Sequence, residues 1–170
     1  MRTGKPDHLT GFSYIGYQRY SLTFCTKDRK RLFVRQDAVD LVLAQISRAA
    51  IEYGFAVLAY CFMPDHVHLL VEGRVEHADC KQFIARAKQY SGFYYSKAFK
   101  EPLWQRYSFE HVVRDTEKST TIARYILQNP LRAGLVANIA EYPFAGSLVW
   151  SMPELLEWMM TDGFVGGESV

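Results

Sequence analysis

Residues 66–68 read His-Val-His inside the run YCFMPDHVHLLVEG (60–73). Side chains alternate along a strand, so His66 and His68 would project from one face. Two imidazoles at that spacing can chelate one divalent cation. Val67, Leu69 and Val71 take the opposite face as a wholly apolar, core-side set, while the histidine face continues into Leu70. Two imidazoles are an incomplete ligand set, because a catalytic metal needs a third protein ligand and an open position. Asp65 is adjacent but falls in a turn. Two surface histidines on an edge strand would give the same pattern.

A second pair lies in ARYILQNP (123–130), where Tyr125 and Asn129 are four apart and would stack on one helix face. An amide oxygen is a hard ligand suited to Mg²⁺ or Mn²⁺. A phenol can serve as a covalent nucleophile. A tyrosine at a core boundary and an asparagine ending a helix before Pro130 would explain the same residues without chemistry. His77, Asp79 and Cys80 would suit a second metal, but a helix N-terminus explains them better.

These side chains need elements to position them. YIGYQRYSLTFCT (14–26) reads as a strand and KDRKR (27–31) as a basic loop. In 34–54 the apolar residues Val39, Val42, Leu43, Ile46 and Ala50 recur at three and four, which predicts an amphipathic helix with Gly54 as C-cap. Residues 55–63 and 66–73 read as strands joined at Pro64-Asp65. A helix over 77–100, interrupted or ended near Gly92, a strand over 108–115 and a helix over 116–129 stopped by Pro130 follow. A short helical candidate closes the series at 153–160. The order predicts an α+β fold, a ferredoxin-like βαββαβ antiparallel sheet with two crossover helices on one face. The additional C-terminal helix at 116–129, carrying Tyr125, could cover the other face.

The chain's 170 residues suit one domain of ordinary size, and 49% hydrophobic content allows a real core. No apolar run reaches the ~18 residues needed to span a bilayer. The N-terminus shows no export signal. Three cysteines, Cys25, Cys61 and Cys80, without a CxxC support neither a disulfide framework nor a four-cysteine zinc site, so a reducing cytoplasm is expected. The net charge of +2 hides an asymmetry. Residues 1–132 hold 20 bases and 13 acids, a net +7, and no Lys or Arg follows Arg132. A basic body with an acidic tail suits a polyanionic partner.

Taken in order, YSLTFCTKDRKRLF, YCFMPDHVHLLVEG, LWQRYSFEHVVRD, ARYILQNPLRAGLV and EYPFAGS resemble the single-tyrosine HUH transposases, nearest the REP-associated tyrosine transposases. The resemblance places a transposase domain at 1–148 and leaves 149–170 as an acidic C-terminal tail. It implies that His66 and His68 bind a divalent metal, Mg²⁺ or Mn²⁺, with Asn129 as third ligand and Tyr125 as nucleophile. The implied activity is cleavage and rejoining of single-stranded DNA at hairpin ends through a 5′-phosphotyrosine. It also implies a bacterial, nucleoid-associated protein acting as a monomer or homodimer. Residues 81–106 interleave cations, Lys88, Lys97 and Arg106 among them, with aromatics, a pattern suited to unpaired nucleic acid. Arg31 and Arg114 are further DNA-binding candidates. Two other functions fit the same residues: a metal-dependent nuclease using activated water, and a non-catalytic nucleic-acid-binding domain.

Overall fold

The computed structural model describes residues 11–161. Strand β1 (Arg19–Thr26) enters the sheet after an irregular approach, shorter than the run 14–26 suggested, and a 3-10 turn follows at Lys27–Arg29. Helix α1 (Gln36–Tyr53) buries Val39, Val42, Ile46 and Ala50 on one face. It ends at Gly54, whose φ of +73° only glycine adopts without strain, and whose N–H bonds the carbonyl of Ala50. Strands β2 (Phe55–Met63) and β3 (His66–Gly73) form the expected hairpin, with Met63 opposite His66 across Pro64-Asp65.

Helix α2 (Cys80–Phe99) starts at Asp79, whose carboxylate accepts from the Gln82 N–H at 3.1 Å. It runs unbroken through Gly92, against the expected interruption. The indole of Trp104 donates to Ser91 Oγ at 2.9 Å, and its ring lies 3.6 Å from where a Gly92 Cβ would sit. A mid-helix glycine costs about 1 kcal/mol of propensity, which the surrounding packing of α2 carries without a break. Strand β4 (Trp104–Val113) starts earlier than the alternation suggested, because Trp104 pairs with Thr26 beyond a bulge.

Helix α3 (Ser119–Leu127) stops before Pro130, and a one-turn helix α4 (Asn129–Arg132) begins there. Proline lacks an N–H, which the first helical turn does not need, so Pro130 opens the second helix as well as closing the first. Strand β5 (Ala145–Gly146) adds a short pairing to β2 that the alternation did not signal. Helix α5 (Met152–Met160) follows a Ser151/Glu154 capping box and buries Leu155 and Met159. The guanidinium of Arg124 on α3 donates to the Met159 carbonyl, so this part of 149–170 packs on α3. The rest of the acidic tail, 162–170, lies outside the described residues.

The sheet is antiparallel throughout, in the order β4-β1-β3-β2-β5. The first four strands have the ferredoxin-like arrangement expected. One face carries the larger core, where Leu22, Phe24, Val67, Leu69 and Val71 meet α1 and α2. The other carries Leu58, Cys61, Met63 and Leu70 against Ala123, Ile126 and Leu127 of α3 and Leu155 of α5. The three cysteines are buried free thiols. Among the described residues, no helix is long and apolar enough to cross a membrane.

Candidate active site

β3 is a central strand, flanked by β1 and β2, so the histidines are not edge residues. His68 stands opposite Thr23 of β1 and Cys61 of β2. With Leu70 they share the face that α3 covers. The Nε2 atoms of His66 and His68 are 3.1 Å apart, with rings nearly perpendicular at 88°. Each outer nitrogen has its own partner: His66 Nδ1 meets Asp65 Oδ1 at 2.7 Å, and His68 Nδ1 meets Thr23 Oγ1 at 3.0 Å. When both outer nitrogens carry the proton, both inner lone pairs point at one spot.

Burial keeps one of the two rings uncharged. Burial, reinforced by the neighbouring His66, pushes the His68 pKa down to about 4, so its imidazole is neutral at physiological pH. Burial raises Asp65, but hydrogen bonds from His66 and from Arg29 Nε at 2.9 Å hold it below the usual carboxylate range. The backbone carbonyl of Asp65 accepts from both the N–H and the hydroxyl of Thr26. The carboxylate under His66 is thus fixed from two sides.

Two nitrogens each about 2.1 Å from a shared cation stand about 3.0–3.4 Å apart between right-angle and tetrahedral geometry. The observed separation falls in that range, and the residues present fit a divalent ion. Among the described residues, no group of three His, Cys, Asp or Glu side chains could hold a metal. A third protein donor would have to come from another residue type, such as the Asn129 amide.

Tyr125 is 59% exposed on α3. Ile126, its neighbour, is buried, as are Ala123 and Leu127, so the helix turns its apolar side to the sheet and its phenol outward. Asn129 sits at the start of α4, which lies against β2. Its Nδ2 donates to the Ile126 carbonyl at 3.1 Å and its Oδ1 accepts from Arg132 at 3.0 Å. The same guanidinium donates to the Tyr125 carbonyl at 2.7 Å and stacks 3.9 Å from the centroid of the Tyr125 ring. Its charge also lowers the pKa of His68 and opposes the burial that raises Cys61 to about 12. α3 packs on β2 and β3 and α4 on β2, so both helices lie on the sheet face that carries the histidine pair.

Thr23 and Arg132 were not singled out from sequence. Arg132 lies beyond Pro130, where the sequence predicts the helix to end, so its return to Tyr125 and Asn129 becomes visible only once α4 restarts the turn. Thr23 is 45 residues from His68 and becomes visible only through strand register.

The DNA-binding candidates are dispersed. Lys88 and Arg106 line a groove of about 400 Å³ between α2 and β4, with Lys81 and Tyr107. The Lys88 ammonium donates to the carbonyls of Gln105 and Arg106. Lys97 is exposed on α2, near the exposed rings of Phe93 and Tyr94, whereas Phe83 and Tyr95 are core. Arg31 is exposed after the 3-10 turn. Arg114 lines a separate cleft of about 870 Å³ at the start of α3.

Residues 15–129 match the profile of the IS200-like transposases. A Haemophilus influenzae protein assigned by name as a REP-associated tyrosine transposase is 23% identical over 145 residues, 74% of this chain and 77% of that protein. The solved structure of a REP-associated tyrosine transposase bound to a REP hairpin aligns with a TM-score of 0.66 at 19% identity, covering 82% of this chain and 81% of that one. A Deinococcus radiodurans crystal structure assigned as a transposase aligns with a TM-score of 0.52 at 25% identity, covering 74% and 97%.

Proposed function

We propose, from the premise that the chain belongs to the IS200-like transposase family, that it cleaves and rejoins single-stranded DNA beside a hairpin by way of a covalent bond to Tyr125. The observation that supports this reading most is one of placement. The helix with the exposed phenol lies across the sheet face that holds two imidazoles with their Nε2 atoms 3.1 Å apart.

The chemistry follows from the residue types. The Tyr125 oxygen attacks the scissile phosphorus, forming a P–O bond as the bond to the 3′ oxygen breaks. The phenol loses its proton and the departing strand ends as a 3′-hydroxyl, leaving DNA joined to Tyr125 by a 5′-phosphotyrosine. A protonated phenol is a weak nucleophile, so the phosphate must be held in line and its developing charge offset. His66, His68 and Asn129 would hold Mg²⁺ or Mn²⁺, which when bound supplies Lewis-acid polarisation of the phosphate oxygen. The Asp65 carboxylate, an acceptor only, would hold His66 with its inner nitrogen free, and Thr23 Oγ1, accepting from His68 Nδ1, would do the same for His68. Because the covalent link conserves the phosphodiester, a second 3′-hydroxyl can reverse the step and join strands without ATP.

A hairpin with an unpaired arm is the proposed substrate. It is what the structural relative named above is bound to, and a duplex would hide the scissile phosphate. Arg106 and Lys97, with Lys88 behind them, would follow the phosphates of the arm, while Arg31 and Arg114 would contact flanking backbone.

The test is incubation of a labelled hairpin oligonucleotide with protein and Mg²⁺, followed by a denaturing gel. A protein–DNA band that survives denaturation in wild type and is absent in Tyr125→Phe is expected. Cleaved product without that band would instead make the protein a nuclease using activated water. Binding without cleavage in any divalent metal would make it a DNA-binding module.

A further inference from the structure

Arg132 makes three contacts that meet at the two groups on which the proposed chemistry depends. Its guanidinium stacks on the Tyr125 ring, donates to the Tyr125 carbonyl and donates to Asn129 Oδ1. The orientation of the Asn129 amide is fixed by its partners, since the Ile126 carbonyl requires a donor and the guanidinium requires an acceptor. The one amide atom able to bind a hard cation is therefore the atom engaged by Arg132. The oxygen keeps a second lone pair, so a divalent cation competes with the guanidinium for the amide's orientation, which Arg132 and the Ile126 carbonyl set.

Arg132 is exposed, and among the described residues no carboxylate is one of its hydrogen-bond partners. A phosphate is a stronger acceptor for its planar fork than a neutral amide and a carbonyl. We propose, resting on the metal-and-tyrosine reading above, that Arg132 is a positioning residue that latches Asn129 away from the histidine pair in the DNA-free protein. An arriving DNA phosphate draws the guanidinium off, frees the amide oxygen for the cation and leaves the ring of Tyr125 unclamped at the moment substrate is present. The full set of metal ligands then assembles only on DNA, which suppresses futile chemistry at the phenol.

Mn²⁺ binding to the DNA-free protein, followed by electron paramagnetic resonance of the free ion, tests the latch. Releasing one amide ligand at an exposed site should strengthen binding by about fivefold, the low end of ordinary coupling, in Arg132→Ala. Removing a positive charge would also favour a cation, so two further variants separate the causes. Arg132→Lys retains the charge but not the fork, and the latch requires most of the gain to persist there. In the double variant Arg132→Ala/Asn129→Ala the gain must vanish, whereas a field effect would survive it. Equal Mn²⁺ affinity in wild type and Arg132→Ala, or a gain untouched by Asn129→Ala, overturns the proposal. If His66→Ala binds Mn²⁺ as wild type does, or neither wild type nor Arg132→Ala binds any, the metal reading itself fails, an outcome distinct from failure of the latch alone. The phosphate step has its own readout: hairpin affinity in EDTA plotted against salt. Arg132→Ala should lower the slope by about 0.7–0.9, one phosphate contact; an unchanged slope refutes the draw of the phosphate.

Discussion

Thr23→Val should weaken the proposed cation site without touching either imidazole. Valine has nearly the shape of threonine but no hydroxyl. The lost contact is Thr23 Oγ1 to His68 Nδ1 at 3.0 Å, on a ring that burial keeps neutral. With no acceptor at Nδ1, the favourable move is to shift the ring proton to Nε2. That nitrogen is 3.1 Å from His66 Nε2 and would donate to it, placing a proton where the proposed cation would sit. Loss of such an outer hydrogen bond typically costs about 10–100-fold in metal affinity, or about 1.4–2.7 kcal/mol. The upper half is expected here, because Thr23 is half-buried between β3 and β4 and water cannot readily replace its hydroxyl. The assay is the Mn²⁺ concentration that half-saturates hairpin cleavage, together with Mn²⁺ binding to the protein alone. Half-saturation should move to higher Mn²⁺ while the rate at saturating Mn²⁺ changes little. Thr23→Ser, which keeps the oxygen, should stay within about threefold of wild type, given the same second-partner logic. If Thr23→Val binds Mn²⁺ within twofold of wild type while His66→Ala abolishes binding, the claim that β1 fixes the tautomer of His68 is refuted.

Leu70 is fully buried between the sheet and α3, so Leu70→Ala should lower stability by about 2–5 kcal/mol in urea denaturation and slow formation of the covalent band, since α3 loses its seat. A loss below 1 kcal/mol would mean that α3 is not held by this contact. Lys88 makes a prediction about pH. Burial lowers its pKa from 10.5 to about 8. Below pH 8 folded and unfolded chains both hold the proton and the full burial penalty applies. Between pH 8 and 10.5 the unfolded chain binds more protons than the folded one, so stability rises with pH relative to a variant lacking the amine. Wild type should therefore gain on Lys88→Met between pH 8 and 10 in parallel urea titrations, and a pH-independent gap would show that the ammonium is not desolvated.

Much of this architecture could be read from periodicity. Val67, Leu69 and Val71 pointed to the major core, and Leu70 continued the histidine face into the second one, where α3 sits. What periodicity lacks is register and phase between distant segments. The Thr23–His68 contact depends on β1 aligning with β3 at one offset. The Asn129–Arg132 contact depends on Pro130 restarting a helix where a break was expected. The exposure of Tyr125 follows from simpler geometry. Successive residues on a helix are 100° apart, and Ala123, Ile126 and Leu127 are all committed to the second core. Turning the phenol of Tyr125 inward would rotate Ile126 and Leu127 out of it, forfeiting about 1.5–3 kcal/mol for each side chain exposed. The apolar residues that bind α3 to the histidine face are thus the same residues that hold its tyrosine in solvent beside it.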